Sequence, residues 1–500
     1  MTRIPEQQSA TTTTEKDPWP ALWALVLGFF MIMVDSTIVT VATPAIIEDL
    51  HAEVNAVVWV TSAYLLAYAV PVLITGRLGD RFGQKRLYLL GLVVFTASSL
   101  WCGLTGSIEG LIVARVFQGF GASMMTPQTM AIITRIFPAQ RRGQAMALWG
   151  ATAGVALLVG PLLGGLLVDG LGWEWIFFIN VPVGLLAFGL AWVLVPTLST
   201  NPHRFDWLGV ALSGAGMFLL AFGIQEGHQY DWGTVTGQIT VWRLIVGGLV
   251  VFGLFVFWQS RNTSEPMVPL GLFRERNFSL ANIGISTISF AFTAMAFPMM
   301  LYAQLVRDLS PTRSALLLVP MALASIVLAP VVGKLTDRVH PRLITVTGFS
   351  LTFLSLVWLS AEMRPETAAW RLLLPMALMG AGSAGIWAPL SATATRNLPM
   401  HLAGAGAGVY NATRQVGAVL GSAGIALLMD SRLAAQHLVF DPTRPGGGGL
   451  PQPVHAAFST AMSQAMLLPA GVLLIGVLAV LFFTEPGHFA YQQAVAPAGH

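Results

Sequence analysis

Gly76-Arg77-Leu78-Gly79-Asp80-Arg81-Phe82-Gly83-Gln84-Lys85-Arg86 is a charged, glycine-punctuated loop wedged between two long apolar segments. About half the chain later it returns in degenerate form as Gly333-Lys334-Leu335-Thr336-Asp337-Arg338. A repeated charged hairpin in a very hydrophobic chain points to a membrane protein built from two related halves.

The composition outside these loops is that of a membrane protein. Hydrophobic residues make up 55% of the 500, charged residues 10%, and the mean hydropathy is +0.70. Soluble domains carry about 25% charged residues, so a soluble globular class is excluded. Spanning a bilayer takes about 20 apolar residues per helix. About 14 stretches qualify, beginning with 19–44 and 57–75; 205–225 and 239–258 have the least distinct ends, and 458–483 is the last. No stretch alternates apolar and polar residues for long, which excludes a β-barrel.

The net charge of +3 is too small to point to nucleic acid. Its distribution is more informative. Most Lys and Arg fall in the N-terminal stretch and in alternate loops, among them 76–86 and Arg135, Arg141 and Arg142. That positive-inside bias places these loops and both termini in the cytoplasm. Residues 1–18 read as a disordered tail with no cleavable signal, and 486–500 as a second cytoplasmic tail. Cys102 is the only cysteine, and the histidines lack ligand spacing, so neither a disulfide within the chain nor a metal site is expected.

The repeat extends beyond the charged loop. Thr134-Arg135-Ile136-Phe137-Pro138 with Gly143 matches Thr395-Arg396-Asn397-Leu398-Pro399 with Gly404. At the same offset Ala151-Thr152 matches Ala412-Thr413, Val155 matches Val416 and Gly160 matches Gly421. Six helices with their loops are shorter than that offset, so two extra helices must lie between the halves. The expected plan is a six-helix bundle over 19–200, two inserted helices over 201–262, and a second six-helix bundle over 263–485. The second bundle includes a Gly-rich outer loop at 431–457. Parallel repeats of this kind hold a substrate cavity at their interface, near the bilayer midplane.

Four motifs together resemble the fourteen-helix drug:proton antiporters of the major facilitator superfamily, the EmrB/QacA type. Asp35-Ser36-Thr37-Ile38-Val39, running to Pro44, is similar to that family's first-helix acidic motif, and residues 76–86 to its loop between helices two and three. Arg115-Val116-Phe117-Gln118-Gly119-Phe120-Gly121-Ala122 resembles the fourth-helix motif. Gly154 with Gly160-Pro161-Leu162-Leu163-Gly164-Gly165 resembles the fifth-helix motif that marks antiporters. The chain departs from the pattern at Thr40, Thr43, Gln84 and Glu174, and the second loop copy loses its later glycine. No acidic residue is apparent inside helices nine to twelve, where some relatives carry one. The resemblance implies an all-α major facilitator fold in a bacterial plasma membrane, working as a monomer among membrane lipids. It also implies export of small hydrophobic, cationic or amphipathic compounds against protons, with no cofactor.

The residues set the expected roles. Asp35 lies mid-helix, where an Asp costs about 2.5–3.5 kcal/mol to insert. Desolvation there favours the neutral acid, so the group can take up and release a proton. Its charged form can also attract a cationic substrate. Arg115 cannot shed its charge and must face protein or a water-filled cavity; the resemblance implies that it tunes a nearby carboxyl. Arg414, with Gln415 beside it, is the corresponding oddity of the second half, as a clamp or as a coupling residue.

Gly76 and Gly83 allow tight turning, and Asp80 can accept bonds from a helix N-terminus. Arg81, Lys85 and Arg86, with Asp337 and Arg338, are expected to bond across the halves and to set topology. Gly154, Gly160, Gly164 and Gly165 favour close helix packing and Pro161 a bend, and the resemblance implies that this surface limits leak. Met124, Met125, Met295, Met299, Met300, Phe290, Phe292 and Trp387 suit an adaptable apolar cavity. Glu226 and Asp430, at helix ends, read as solvated.

An exporter of lipid or an endogenous metabolite remains open by the same mechanism. No Gly-x-x-x-x-Gly-Lys-Ser/Thr loop is present, so this chain alone has no ATP-driven route. A membrane enzyme would need a nucleophile with a base, or clustered His and carboxylates, and neither occurs. A channel would need charge rings or a filter loop.

Overall fold

In the computed structural model the described residues are 17–52, 54–200, 206–227, 230, 232–262, 266–309, 311–436 and 452–484. Residues 1–16 of the expected tail 1–18, the expected tail 486–500 with residue 485 before it, residues 437–451 of the expected outer loop and the Asp430 side chain lie outside them. The remainder of 431–457 is helical on both flanks, so the loop is shorter than the sequence implies.

Helices α1 (Trp19–Asp49), α2 (Val54–Ala69), α3 (Val72–Phe82), α4 (Gln84–Leu104), α5 (Ile108–Ile136), α6 (Arg142–Leu171), α7 (Trp175–Phe178) and α8 (Asn180–Leu194) build the first half. Two helices follow as a pair, α9 (Trp207–Gln225) and α10 (Val241–Arg261), joined through a short ribbon of β1 (Thr234–Thr236) and β2 (Ile239–Thr240). The second half comprises α11 (Arg276–Leu301), α12 (Pro311–Leu316), α13 (Val319–Thr336), α14 (Pro341–Glu362), α15 (Ala369–Arg396), α16 (Ala403–Ala435), α17 (Gln452–Ala465) and α18 (Leu467–Leu481).

Among the described residues, 12 stretches are long and apolar enough to cross a membrane, and the α2–α3 pair, bent by 45°, makes a thirteenth. The bend falls at Pro71, which lacks an N–H and whose ring clashes with the preceding turn. The fourteenth long rod is α5, with 29 residues. Its polar positions, Arg115, Gln118, Gln128 and Thr129, are all buried against other helices, which lets a less apolar helix sit inside the bundle.

The charged stretch 76–86 is mostly helix, not loop. α3 runs through Gly76 and Asp80 to Phe82, and only Gly83 breaks it, at φ +99°, a conformation that costs glycine little. Within the halves α4 packs on α5 and α14 on α15; between them α3 packs on α16 and α6 on α13 and α15. The pair α9–α10 packs chiefly on itself, with lighter contacts from α9 to α2, α3 and α16.

Candidate functional site

Two clusters of buried charge stand out. The first lies inside the first half, around Asp35 on α1. Its Oδ2 accepts from Arg115 Nη1 of α5 at 2.6 Å, and both side chains are fully buried. Its Oδ1 accepts from Gln118 Nε2 at 2.8 Å and from Asn180 Nδ2 of α8 at 2.9 Å. Arg115 also donates to the Gln118 Oε1 and to the Val60 carbonyl of α2, and it lies 4.0 Å over the Tyr64 ring. Asn180 bonds Ser99 of α4, and the Cys102 thiol reaches Gln118.

Donors from α5 and α8 therefore meet the carboxyl of α1, and α2 and α4 hold those donors in turn. Three donors, one of them cationic, fill the two oxygens of this carboxyl. Ser36 and Thr37 bond back to carbonyls of their own helix, at Ile32 and at Met33 and Val34, and do not partner Asp35. Gln118 and Asn180 were not singled out in the sequence. Their signal is a primary amide inside an apolar helix, where an unpaired one would be costly.

A line of rings leads away from this cluster. Tyr64 stacks on Tyr68 at 6.2 Å, and the Tyr68 hydroxyl bonds Thr126 and accepts from Arg414 Nη2 of the second half at 3.0 Å. Arg414 thus reaches across the interface, while its Nε and the buried Tyr410 hydroxyl beside it have no hydrogen-bond partner.

The second cluster closes the interface at the end where the basic loops gather. Asp80 accepts from the backbone N–H groups of Gly404 and Ala405, both at 2.9 Å, at the start of α16. Asp337 accepts from those of Gly143 at 2.8 Å and Gln144 at 3.2 Å, at the start of α6. Each carboxyl meets the unpaired N–H groups and positive dipole end of a helix from the opposite half. Gly143 and Gly404 are the matched glycines of the sequence repeat, so the two contacts are reciprocal.

Around them Arg396 bonds Asp337 at 2.9 Å, Arg142 bonds the carbonyls of Thr395 and Arg396, and Gln84 links Asp80 to Arg135. Burial lifts the Asp337 carboxyl from its ordinary value, while the two N–H groups and Arg396 pull it back. Gly76 is required here: a Cβ on it would come within 2.7 Å of the Gly404 carbonyl and 2.9 Å of the Gly408 Cα.

Several expected roles change. Lys85 bonds the Trp192 carbonyl within its own half, Arg81 lies over the Phe82 ring, and Arg86 and Arg338 are exposed. At this seal the cross-half bonds come from Asp80, Asp337 and Arg142, and Arg77 adds one to Pro266 beyond the inserted pair. In the fifth-helix motif, Gly160 and Gly164 pack on α1 of the same half, against Val34 and Ile38. A Cβ on Gly154 would meet only the Ser325 hydroxyl at 4.0 Å, and one on Gly165 nothing, so neither forms a tight seal. Pro161 sits inside a continuous α6.

An apolar cavity of about 830 Å³ opens between α1, α6, α8 and α13, lined by Trp23, Phe30, Leu148, Val155, Ile326 and Pro330 among others. None of the Met and aromatic residues expected to form a cavity lines it; Met125, Met295 and Met299 are core, and Phe292 packs edge-on against Trp387.

Two related helical halves closed on each other by reciprocal caps, with a buried ion pair inside the first, define a multi-pass membrane transporter and not an enzyme. The chain belongs to the Major Facilitator Superfamily, whose family profile matches residues 25–422. It is 54% identical over 96% of its length to an uncharacterized MFS-type transporter of Mycobacterium tuberculosis, covering 83% of that protein. It is 33% identical to the tetracenomycin C resistance and export protein of Streptomyces glaucescens, over 96% of this chain and 95% of that one. Identity is 30% to the multidrug export protein EmrB of Haemophilus influenzae, over 83% and 81%. The fold matches that of the human organic anion transporter MFSD10 with a TM-score of 0.62 at 13% identity, covering 92% of this chain and all of that one.

Proposed function

We propose that the protein is a proton-driven exporter, trading inward protons for an outgoing hydrophobic compound, cationic or amphipathic, by alternating access. The observation that carries this reading is the buried Asp35–Arg115 pair. A carboxylate held by an arginine and two amides inside a membrane bundle has a poised charge, and adding a proton to it dissolves the ion pair. Arg115 is then left to Gln118, the Val60 carbonyl and Tyr64, so uptake of one proton alters contacts on α1, α2, α5 and α8 together.

The basic end faces the cytoplasm in this reading, with both termini there, in a bacterial plasma membrane. The sealed arrangement is then the outward-facing one. Relatives named for export of tetracenomycin C and of multiple drugs support the direction of transport, and the apolar cavity supports a hydrophobic substrate. Each charge moved across the membrane supplies about 2.3 kcal/mol per 100 mV, enough to drive export without nucleotide. The chain acts as a monomer and needs no cofactor.

Proteoliposomes carrying an imposed pH gradient test this. Movement of a hydrophobic dye is expected to follow the gradient in the intact protein and to be lost in Asp35→Asn. Gradient-driven movement that persists unchanged in Asp35→Asn would sink the assignment of the proton site.

A further inference from the structure

Glu226 follows the last turn of α9, where the sequence reads it as solvated. The fold buries it. The residue is 1% exposed, neither carboxyl oxygen has a well-formed hydrogen bond among the described residues, and the one polar side chain that interacts with it there is the Ser62 hydroxyl of α2. The burial has a local cause. Beyond Glu226 the Trp232 N–H bonds the Gly227 carbonyl at 2.8 Å. The Trp232 ring lies against Gly227 and stacks on Trp242 of α10 with centroids 5.8 Å apart. On the other side Phe222 packs on Trp59 of α2 at 5.6 Å.

Among the described residues no charged side chain offsets a negative charge at this place. Arg243 of α10 is exposed and bonds the Gln238 carbonyl. α3 and α16 line a shared pocket with α9 at Ser213 and Met217, turns away from Glu226. Of the charged groups those helices carry, Arg77, Asp80 and Arg81 on α3 and Arg414 on α16 are engaged at the interface between the halves or beside Phe82, Arg432 on α16 is exposed, and the Asp430 side chain lies outside the described residues. The C-terminal end of α9 contributes only its negative dipole end. Burial accordingly pushes the Glu226 carboxyl above the ordinary carboxylate range. Asp35 is the contrast: equally buried, yet met by a guanidinium and two amides. Two buried carboxyls so differently partnered suit separate proton roles.

We propose that Glu226 is a second proton-binding group of this chain, protonated while α9 lies against α2 and deprotonated where that contact opens to water. The step is one proton onto and off a carboxylate oxygen, with no other bond changed. It gives the inserted pair a role, since α2 touches the surroundings of both acids: Ser62 interacts with Glu226, and the Val60 carbonyl accepts from the Arg115 Nε at 3.2 Å. The inference extends the proton-driven reading, but the proton on Glu226 can be observed without any transport.

Infrared difference spectra of the full chain in lipid nanodiscs, in neutral H₂O and D₂O buffers, provide the test. A deuterium-sensitive carbonyl stretch of a protonated carboxylic acid is expected in the wild type and in Asp35→Asn. It is expected to be lost in Glu226→Gln and to shift in Glu226→Asp, which covers the case of a Gln variant that fails to fold. A band absent from the wild type, or one that neither substitution alters, overturns the proposal. If transport proves independent of the gradient while the band still vanishes in Glu226→Gln, the proton-driven reading fails and this one stands.

Discussion

Arg115 is held by Asp35, Gln118, the Val60 carbonyl and the Tyr64 ring, yet its Nη2 has no partner. Removing one member of a fully buried ion pair typically costs about 3–5 kcal/mol, because the other charge is left uncompensated. Arg115→Ala is therefore expected to lower the melting temperature of the purified protein far more than Asp35→Asn/Arg115→Leu, which leaves no charge behind. Similar losses in the two variants would show that packing, not charge, holds the cluster. At this scale the sequence was half legible. An acid and an arginine inside apolar helices announce themselves, since each is costly there. Their amide partners do not, because Gln118 and Asn180 lie on α5 and α8, and only the three-dimensional packing brings them to one carboxyl. Glu226 was misread for a related reason: a helix-end position looks solvated until the packing of Trp232 on Gly227 and of α9 on α2 is known.

The inserted pair shows what a single cap can do for an element. Asp206, just before α9, accepts from the Gly209 N–H at 2.8 Å, the Trp258 indole at 2.9 Å, the Gln259 amide at 2.7 Å and the Met267 N–H at 3.4 Å. It so ties the start of α9 to the end of α10 and to the entry of the second half. Partial burial opposes the charge, but the four donors outweigh it and hold the Asp206 carboxyl below its ordinary value. A depressed acid stabilises the folded state above its unfolded value, and that contribution is lost as pH falls through the folded one. Asp206→Asn is expected to melt earlier than wild type at neutral pH, and the gap to close as the pH drops below about 4. A gap that stays constant with pH would assign the effect to geometry alone. The sequence showed that two helices were inserted, but the residue that fastens them lies in a polar stretch with no period to read.

Across the whole molecule the repeat was the legible part. Matched glycines and charged residues at one offset announced two halves, and the folded chain uses those same positions at the seal. What could not be read was that each half caps the other, because a repeat specifies likeness and not docking. With two equivalent caps, Asp80→Asn or Asp337→Asn alone is expected to loosen the sealed end only in part. The double variant, or Gly76→Ala with its backbone collision, is expected to open it fully. Labelling of an introduced cysteine beside Arg135 by a membrane-impermeant reagent reads this out. Equal labelling in single and double variants would show that the caps are not the closure.

The modest hydropathy of α5 bears on how the protein is made. Of the long helices it is the one that falls short of the apolarity a lone span needs, since it carries Arg115, Gln118 and Gln128. A helix of that kind leaves the translocation machinery for lipid at a cost unless its polar groups already have company. Its partners Asp35 on α1 and Tyr64 on α2 are synthesised earlier, and Cys102 and Ser99 on α4 immediately before it. The order of the chain thus delivers the acid before the base that needs it. The same ion pair that lies buried in the finished transporter serves first as a birth permit for its fourth span.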